Sequence, residues 1–182
     1  RGKTNRLRVT VDNTQVPNSR WYTGSGIYRD VTLYAGNRLH IKPKGIEVCT
    51  VDEKKAEFEI YICVEGMSEE DKEKISFEFK ILDMDNGAQD FQILDKRWTD
   101  NVYTVRMKQE SAQEWSSETP VCYMLEAKMK KDNAADVQTT RYGLRKLAWD
   151  PENGLSVNGA ETKLRGACIH HDNGILGAKE YE

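Results

Sequence analysis

The sequence predicts an all-β protein whose main part is a sandwich of short strands. Apolar and polar residues alternate in many short stretches along the 182 residues, and no stretch sustains a helical period. Asn, Gly, Asp and Glu separate these stretches at intervals of about 8–12 residues, the spacing typical of a β-sandwich. Together, the alternation and the spacing favour stacked antiparallel sheets over a fold that contains helices.

Nine candidate strands follow one another along the chain. Two of them, Arg6–Val11 and Gly26–Leu33, come before the main group. The main group has seven strands, which is the count of an immunoglobulin-like sandwich. Its members are Leu39–Asp52, Ala56–Glu65, Ile75–Leu82, Gln89–Leu94, Val102–Met107, Pro120–Met129 and Val137–Trp149.

After residue 147 the pattern changes to closely spaced turns. The stretches DPENG, VNGAE and HDNG consist largely of residues that favour turns. Between the last two lies TKLRGACI, which predicts a further buried strand that ends at a pair of histidines. This final segment is too short to be a domain, so we expect it to be the beginning of one.

Alternation also indicates which side chains of the sandwich face inward. The apolar side of FEIYICV runs from Phe58 to Val64, and that of VCYMLEAKM runs from Tyr123 to Met129. Because a sandwich buries one face of each sheet, these two sides are expected to meet in the core. The predicted core residues are Phe58, Ile60, Ile62, Phe77, Phe79, Ile81, Val105, Tyr123, Leu125 and Leu144.

The four cysteines are Cys49, Cys63, Cys122 and Cys168, and no two of them form the Cys-x-x-Cys pair of a structural zinc site. The separation between Cys63 and Cys122 would suit the bridge between the sheets of an antibody-type domain. However, alternation places both side chains on the outward faces of their strands. We therefore expect free thiols and no metal site.

Composition and charge exclude some classes of partner. The net charge is −3, and the 27 basic and 30 acidic residues are interspersed, so no basic stripe predicts nucleic-acid binding. The acidic run SEEDKEK is expected to be a solvated loop. No apolar run approaches the roughly 20 residues of a membrane helix, so no membrane contact is expected.

The first residues, RGKTNRLRVTVDN, hold neither an initiator Met nor a signal peptide, which predicts that the chain is a piece of a longer protein.

Two histidines near the C-terminal end, in IHHDNG, are candidates for chemistry. Such a pair beside Asp172 could bind a metal, transfer protons or bind a sugar. Adjacent residues on a strand point to opposite faces, so His170 and His171 do not readily share one metal ion. No further ligand stands at a recognisable spacing, and a metal is therefore not expected. A polar turn capped by Asp172 and Asn173 accounts for the same residues.

The loop NSRWYTGSG presents Trp21 and Tyr22 beside Arg20. A sugar can stack its C–H face on an aromatic ring while its hydroxyls accept hydrogen bonds from a guanidinium, so this set suits a carbohydrate. Packing of the two rings against a neighbouring domain is the alternative, and the residues alone favour it. Gly24 and Gly26 allow the backbone angles that a compact loop requires.

Five stretches occur in this order along the chain: LRVTVDN, NSRWYTGSGIYRDVTL, EWSSETPVCYML, TRYGLRKLAWDPENGLSVNGAETKLRG and HHDNGILGA. Together they resemble glycoside hydrolase family 2, and its bacterial β-galactosidase-like members most closely; SGIYRDV and KLRGACIHHDNGILGA are the specific parts. The resemblance implies three pieces of domain. These are the C-terminal part of a sugar-binding jelly roll at 1–40, an immunoglobulin-like sandwich at 41–147, and the lead-in and first strand of a catalytic (β/α)8 barrel at 148–182.

For the longer protein the resemblance implies retaining hydrolysis of terminal β-glycosides, in which one glutamate is the acid/base and another the nucleophile. In the family both glutamates lie on later barrel strands, so this chain is expected to carry no catalytic residue and to be inactive. The resemblance places substrate-binding residues at His170 and Asp172, after the first barrel strand. It places others at Asn18, Ser19 and Arg20, in the loop that reaches over the barrel mouth.

The resemblance implies no cofactor, and the partners it implies are a carbohydrate and the rest of the same polypeptide, the barrel above all. Thr23 stands where the family more often has proline, and the length of the loop around Asn18 varies within the family. The alternative from another class is a self-standing carbohydrate-binding or adhesive sandwich module, which gives no reason for KLRGACIHHDNG to follow the sandwich. For the cellular location of the longer protein, the bacterial periplasm and the cytoplasm both fit the sequence.

Overall fold

The computed structural model describes residues 4, 6–12, 14, 27, 31–83 and 87–167. The chain divides into two units, of which one is Tyr34–Lys163 and the other combines Arg1–Leu33 with Leu164–Glu182. In the second unit the described residues form no strand, so the strand predicted at 6–11 is absent and that predicted at 26–33 is absent where it is described. A strand forms only against a hydrogen-bonded neighbour, and alternation such as that of Leu7 and Val9, both exposed here, does not supply one.

The unit Tyr34–Lys163 is built from strands that pair antiparallel throughout. One four-stranded sheet has the order β1-β2-β6-β5 and the other the order β4-β3-β7-β8, while a three-stranded sheet has the order β11-β10-β9. The strands are β1 His40–Asp52, β2 Glu57–Glu65, β3 Ser76–Asp83, β4 Gly87–Gln89, β5 Phe91–Thr99, β6 Val102–Gln109, β7 Tyr123–Lys131, β8 Ala134–Tyr142, β9 Leu147–Asp150, β10 Gly154–Val157 and β11 Ala160–Glu161.

The two four-stranded sheets confirm the predicted all-β, immunoglobulin-like sandwich. The chain crosses from the first sheet to the second between β2 and β3, and returns between β4 and β5. The sandwich has eight strands rather than the predicted seven, because Gln89–Leu94 is divided at Asp90 between β4 and β5, which belong to different sheets. Period-two alternation continues across such a break and does not reveal it.

The core lies between the inward faces that alternation predicted. Burial alternates along β2 from Phe58 to Val64 and along β7 from Tyr123 to Met129. Eight of the ten predicted core residues are buried, and the other two, Phe77 and Phe79, are half-buried against the core. Phe77 stacks on Tyr103 with ring centroids 4.5 Å apart, which closes this end of the core with aromatic rings.

The predicted strand Val137–Trp149 is wrong as a single element. β8 ends at Tyr142, and β9 begins at Leu147 in the three-stranded sheet. The break lies at Gly143, where a Cβ atom would stand 2.9 Å from Cδ1 of Trp115. The Trp115 ring therefore occupies the space that a larger residue would need, and the chain leaves the sheet there.

A buried tyrosine fixes the loop that precedes β7. The Tyr123 hydroxyl accepts a hydrogen bond of 2.8 Å from the backbone N–H of Gln113, ten residues upstream. This is the arrangement of the tyrosine corner of immunoglobulin-like domains. Beside it, the Tyr142 hydroxyl donates to Oε1 of the buried Gln109, and burial raises the pKa of Tyr142 far above its usual range.

Tyr123→Phe is expected to lower the free energy of unfolding by about 1–3 kcal/mol, because it leaves the Gln113 N–H without its acceptor in a partly buried position. Tyr61→Phe is the matched control: its hydroxyl bonds to Glu59 on the outward face of the sheet, where water can replace the lost group. Urea denaturation of both variants measures the difference. An equal loss in the two would contradict the structural role given to Tyr123.

The acidic run predicted to be a solvated loop instead contains a short 3-10 helix, Glu69–Asp71. Asp71 accepts a 2.7 Å hydrogen bond from the backbone N–H of Ser68 and forms an ion pair with Lys131 at the end of β7. The hydrogen bond from Lys131, with that from Ser68, lowers the pKa of Asp71 to about 2. The stretch SEEDKEK by itself does not predict this contact, because Lys131 lies 60 residues after Asp71 in the sequence.

Asp71 should contribute to the acid sensitivity of the fold. Its pKa is lower in the folded state than in the unfolded one, so its contribution is present above about pH 4 and is lost as the pH falls towards 2. Asp71→Asn should therefore be less stable than the wild-type chain at pH 7, and the difference should shrink as the pH approaches 2. Thermal melts from pH 7 to pH 2 measure it. Glu70→Gln, at an exposed neighbour that makes no ion pair in the described part of the chain, should show no such convergence.

Candidate functional site

The predicted substrate-binding residues Asn18, Ser19, Arg20, His170 and Asp172 all lie outside the described residues. The nearest described positions are 14 and 27 on either side of the loop, and 167 before the histidine pair. The positions of these five residues therefore stay predictions from the sequence. The strand predicted for TKLRGACI is not formed over 162–167, although the backbone N–H of Thr162 donates to the carbonyl of Leu155 in β10.

The segment that leads towards the histidines is the sheet of β9, β10 and β11, and it is attached to the sandwich by Asn158. The Asn158 side chain accepts a 2.8 Å hydrogen bond from the backbone of Lys146 and donates one of 2.9 Å to the carbonyl of Trp115. Its backbone N–H donates to the Lys146 carbonyl. Asn158 adopts a positive φ of 51°, which asparagine tolerates better than most residues. One residue thus ties the hairpin of β10 and β11 to the end of the sandwich.

Trp115 is the second element of this junction. Its backbone N–H donates to the carbonyl of Leu144, its ring packs on Gly143, and the Arg145 guanidinium lies 4.5 Å from the ring centroid. The backbone N–H of Arg145 donates to the Thr50 hydroxyl of β1. The start of the three-stranded sheet is therefore fixed to β1 and to the loop that precedes β7. Sequence reasoning missed this junction, because Trp115 lies far along the chain from Gly143, Arg145 and Asn158 and no local pattern connects them.

Three cysteines lie in the described part of the chain, Cys49, Cys63 and Cys122, and all three are free and half-buried. This confirms the expectation that Cys63 and Cys122 do not form a disulfide. Burial is the main cause that raises the pKa of Cys49, and the neighbouring Glu47 raises it further. The Cys49 thiol is therefore neutral at pH 7 and a poor nucleophile. Among the described residues no cluster of His, Cys, Asp and Glu could hold a metal ion.

Thiol titration of the denatured 182-residue chain without reductant should find four reactive groups. Three of them are the free thiols of the structure, and the fourth is Cys168. A count of two, with the missing pair mapped to Cys63 and Cys122 by peptide mass spectrometry, would contradict the outward orientation of these side chains.

Three of the surface clefts that described residues line lie in the unit Tyr34–Lys163. The first, about 600 Å³, lies between the start of β1 and β8, where Asp136 accepts from the backbone N–H of Ile41 and Gln138 donates to its carbonyl. The second, about 570 Å³, lies at the Trp115 junction, and the third, about 380 Å³, lies beside Asp71. None of the three is lined by two carboxylates. Retaining glycoside hydrolysis needs two carboxyl groups about 5–5.5 Å apart, so none of these clefts can perform it.

No helix in the described part of the chain is long and apolar enough to cross a membrane. Two carboxylates on the outward face of the first sheet have arginine partners: Glu57 pairs with Arg106 at 2.6 Å, and Glu59 with Arg97 at 3.3 Å. Tyr61, Arg97 and Arg106 together lower the pKa of Glu59, the Tyr61 hydroxyl being the main cause. These groups stabilise the surface of the sheet and are not arranged for catalysis.

Comparison with known proteins connects this fold to a family. The sequence pattern of the glycosyl hydrolases family 2 matches residues 39–145, which is more than half of the chain and covers the whole sandwich. The chain belongs to this family. The match confirms the resemblance drawn from the five sequence stretches.

Relatives and solved structures of this family match most of the chain. It is 34% identical to the β-galactosidase BoGH2A of Bacteroides ovatus over 96% of its own length and 21% of that protein. A family 2 member from Bacteroides cellulosilyticus DSM 14838 has a TM-score of 0.67 at 30% identity, over 93% of this chain and 24% of that one. A β-glycosidase from Bacteroides vulgatus has a TM-score of 0.66 at 29% identity, over 87% and 20%. The chain thus spans about a fifth of the length of the family members that it matches.

Proposed function

We propose that this family 2 chain is a non-catalytic part of a retaining glycoside hydrolase, β-galactosidase-like, that acts on terminal β-glycosides. The observation that carries the proposal is the 34% identity to a β-galactosidase over 96% of the chain. The similarity spans 184 aligned residues and is therefore not confined to the sandwich.

In the proposed enzyme the sandwich positions the other domains and takes no part in catalysis. Its core is continuous and mainly apolar, with Thr104 and Gln109 as buried polar residues, and it supports the junction at Trp115 from which the chain leaves towards the barrel segment. In this proposal 1–40 completes a jelly roll, 41–147 is the sandwich and 148–182 begins the catalytic barrel. The clefts described above lack a carboxylate pair, which fits a domain that positions other parts of an enzyme.

The proposed contacts with the sugar lie outside the sandwich. His170 and Asp172 follow the proposed first barrel strand, and the carboxyl end of a barrel strand is where such enzymes assemble their sites. Asn18, Ser19 and Arg20 supply hydrogen-bonding groups from the loop of the jelly roll. These residues would bind and orient the glycoside, while the acid/base and nucleophile come from later strands of the barrel.

A comparison of activities tests the proposal. The 182-residue chain and the complete gene product are purified and assayed on aryl β-galactosides, with aryl β-glucuronides and aryl β-glucosides as specificity controls. The complete protein should hydrolyse the β-galactoside with retention of configuration, and the chain alone should show no turnover, because loss of an acid/base group costs about 10²-fold or more. Activity of the chain that survives repeated purification would contradict its non-catalytic role. A complete product that binds sugars but hydrolyses none would favour the carbohydrate-binding module instead.

A further inference from the structure

The cleft at the Trp115 junction is open to the surface and is lined by two arginines. It measures about 570 Å³, within the range of about 300–1,000 Å³ that small-molecule sites occupy. It opens between β1, the loop before β7 and the turn that follows β8. Its lining residues are Val48, Cys49, Thr50, Trp115, Cys122, Arg141, Tyr142, Gly143, Arg145 and Leu147.

The lining contains two guanidinium groups, Arg141 and Arg145, and no acidic residue. Neither guanidinium forms an ion pair with a carboxylate in the described ranges 31–83 and 87–167. The contrast is with Arg97 and Arg106 on the outward face of the first sheet, each of which pairs with a glutamate. The raised pKa of Cys49 keeps its thiol neutral at pH 7, so it does not compensate the two positive charges. Two carboxylates lie just beyond the lining, since Glu47 accepts from the Cys49 thiol and Glu59 also raises the pKa of Cys49. The positive charge of the cleft is therefore confined to the two guanidinium groups.

Local structure holds one of these arginines in place. The Arg145 backbone is anchored by its 3.1 Å hydrogen bond to the Thr50 hydroxyl, and its guanidinium lies over the Trp115 ring at 4.5 Å. Stacking on an aromatic ring restricts a guanidinium and leaves the N–H groups at its edge able to donate. Arg141 projects from β8, opposite Met124 of β7, in a regular part of the ladder. Two arginines thus line one cleft, and Arg145, whose guanidinium already lies over the Trp115 ring, loses less side-chain freedom when it binds a ligand.

We propose that this cleft binds a small molecule that carries an oxyanion, either a carboxylate or a sulfate group. Guanidinium groups match the geometry of such oxyanions and form charge-assisted hydrogen bonds with them. The Thr50 hydroxyl, Leu147 and the Trp115 ring offer a mixed polar and apolar wall for the body of an organic anion. This inference does not depend on the proposed enzymatic function, since it concerns the sandwich itself.

NMR titration of the 182-residue chain tests the inference. Sodium glucuronate is the probe, and ionic strength is held constant with NaCl because exposed charges are sensitive to screening. The backbone amide signals of Thr50, Cys122 and Gly143 should shift and saturate, with a Kd on the order of 1 mM, which suits a few charge-assisted contacts. Galactose is the neutral control and should not saturate these signals. A titration with inorganic sulfate shows whether the site requires a saccharide that carries the oxyanion or binds a small free oxyanion as well.

Two variants that each remove one positive charge distinguish binding in the cleft from a general effect of net charge. Arg141→Gln should weaken glucuronate binding about 10-fold, equivalent to about 1.4 kcal/mol, because it removes one guanidinium from the site. Arg97→Gln removes the same charge on the outward face of the other sheet and should change the Kd by less than about twofold. Arg141→Lys keeps the positive charge without the planar fork, and should give an intermediate Kd that confirms direct contact. Thermal melts establish that each variant is folded before titration.

Each result of these titrations has one meaning. Saturation by glucuronate but not by sulfate supports an acidic saccharide, and saturation by both supports the oxyanion site while assigning it to small oxyanions in general. Saturation by galactose at the same amides would overturn the proposal, since the guanidinium pair would then be irrelevant. Equal weakening by Arg141→Gln and Arg97→Gln would overturn it too, and so would a linear, unsaturated response to both anions.

Discussion

Leu125→Ala should lower the free energy of unfolding of the chain by about 2–5 kcal/mol, the range for large-to-small changes in a core. Leu125 is fully buried in the middle of β7, where it lies opposite Ile81 of β3 and Thr140 of β8. The substitution deletes three carbon atoms from an interior that is packed from both sheets, and the rigid ladders on either side limit how far the cavity can collapse. Urea denaturation at pH 7 measures the loss.

Leu94→Ala is the matched control for this prediction. The same atoms are deleted from β5, but Leu94 is 46% exposed and stands at the register shift between β5 and β6. Its loss should cost less than about 1 kcal/mol, because most of the deleted surface is already in contact with water. If Leu125→Ala costs no more than Leu94→Ala, then β7 presents its other face to the core and the observed alternation is wrong.

The core of the sandwich could be predicted because period-two alternation is a local signal. In β2 and β7 each inward residue is apolar and each outward neighbour can reach water, so the sequence itself distinguishes the two faces. Free thiols at Cys63 and Cys122 followed from the same argument, since both stand at outward positions between inward ones. In strands with one buried and one exposed face, apolar residues occupy every second position, so the prediction and the structure agree there.

Other features depend on distant contacts that no local pattern contains. The end of β8 is set by the Trp115 ring against Gly143, and the short helix at Asp71 is stabilised by Lys131. The division of Gln89–Leu94 between two sheets leaves the alternation unchanged, so it could not be predicted. The strand predicted at 6–11 shows the converse error: the alternation is present, but the described residues there do not form a strand.

The candidate site was predicted in a different way, from resemblance to a family. Chemistry alone left His170 and the loop around Arg20 with alternatives, a polar turn in one case and packing of aromatic rings in the other. The family match at 39–145 supports the resemblance, but it ends before the histidines and begins after the loop. The roles of these residues therefore depend on measurements of function in the complete protein.

His170→Ala should lower kcat/KM of the complete enzyme by about 10–10³-fold, equivalent to about 1.4–4 kcal/mol of transition-state binding. In the proposed function, His170 stands at the end of the first barrel strand and donates or accepts a hydrogen bond with the bound sugar. That hydrogen bond strengthens as the ring distorts towards the oxocarbenium-like state, so its loss reduces transition-state binding more than ground-state binding.

His171→Ala is the control, because adjacent side chains on a strand leave opposite sides of the chain, and it should reduce kcat/KM much less. Kinetics of both variants on an aryl β-galactoside, at matched folded fraction, separate the two positions. If His170 is only a polar residue of a turn, both substitutions change the melting temperature slightly and leave turnover unaltered. Equal and small effects on kcat/KM would therefore remove His170 from the proposed sugar site, whereas a large loss at His170 alone, with kcat falling more than KM rises, would give it a role in stabilising the transition state.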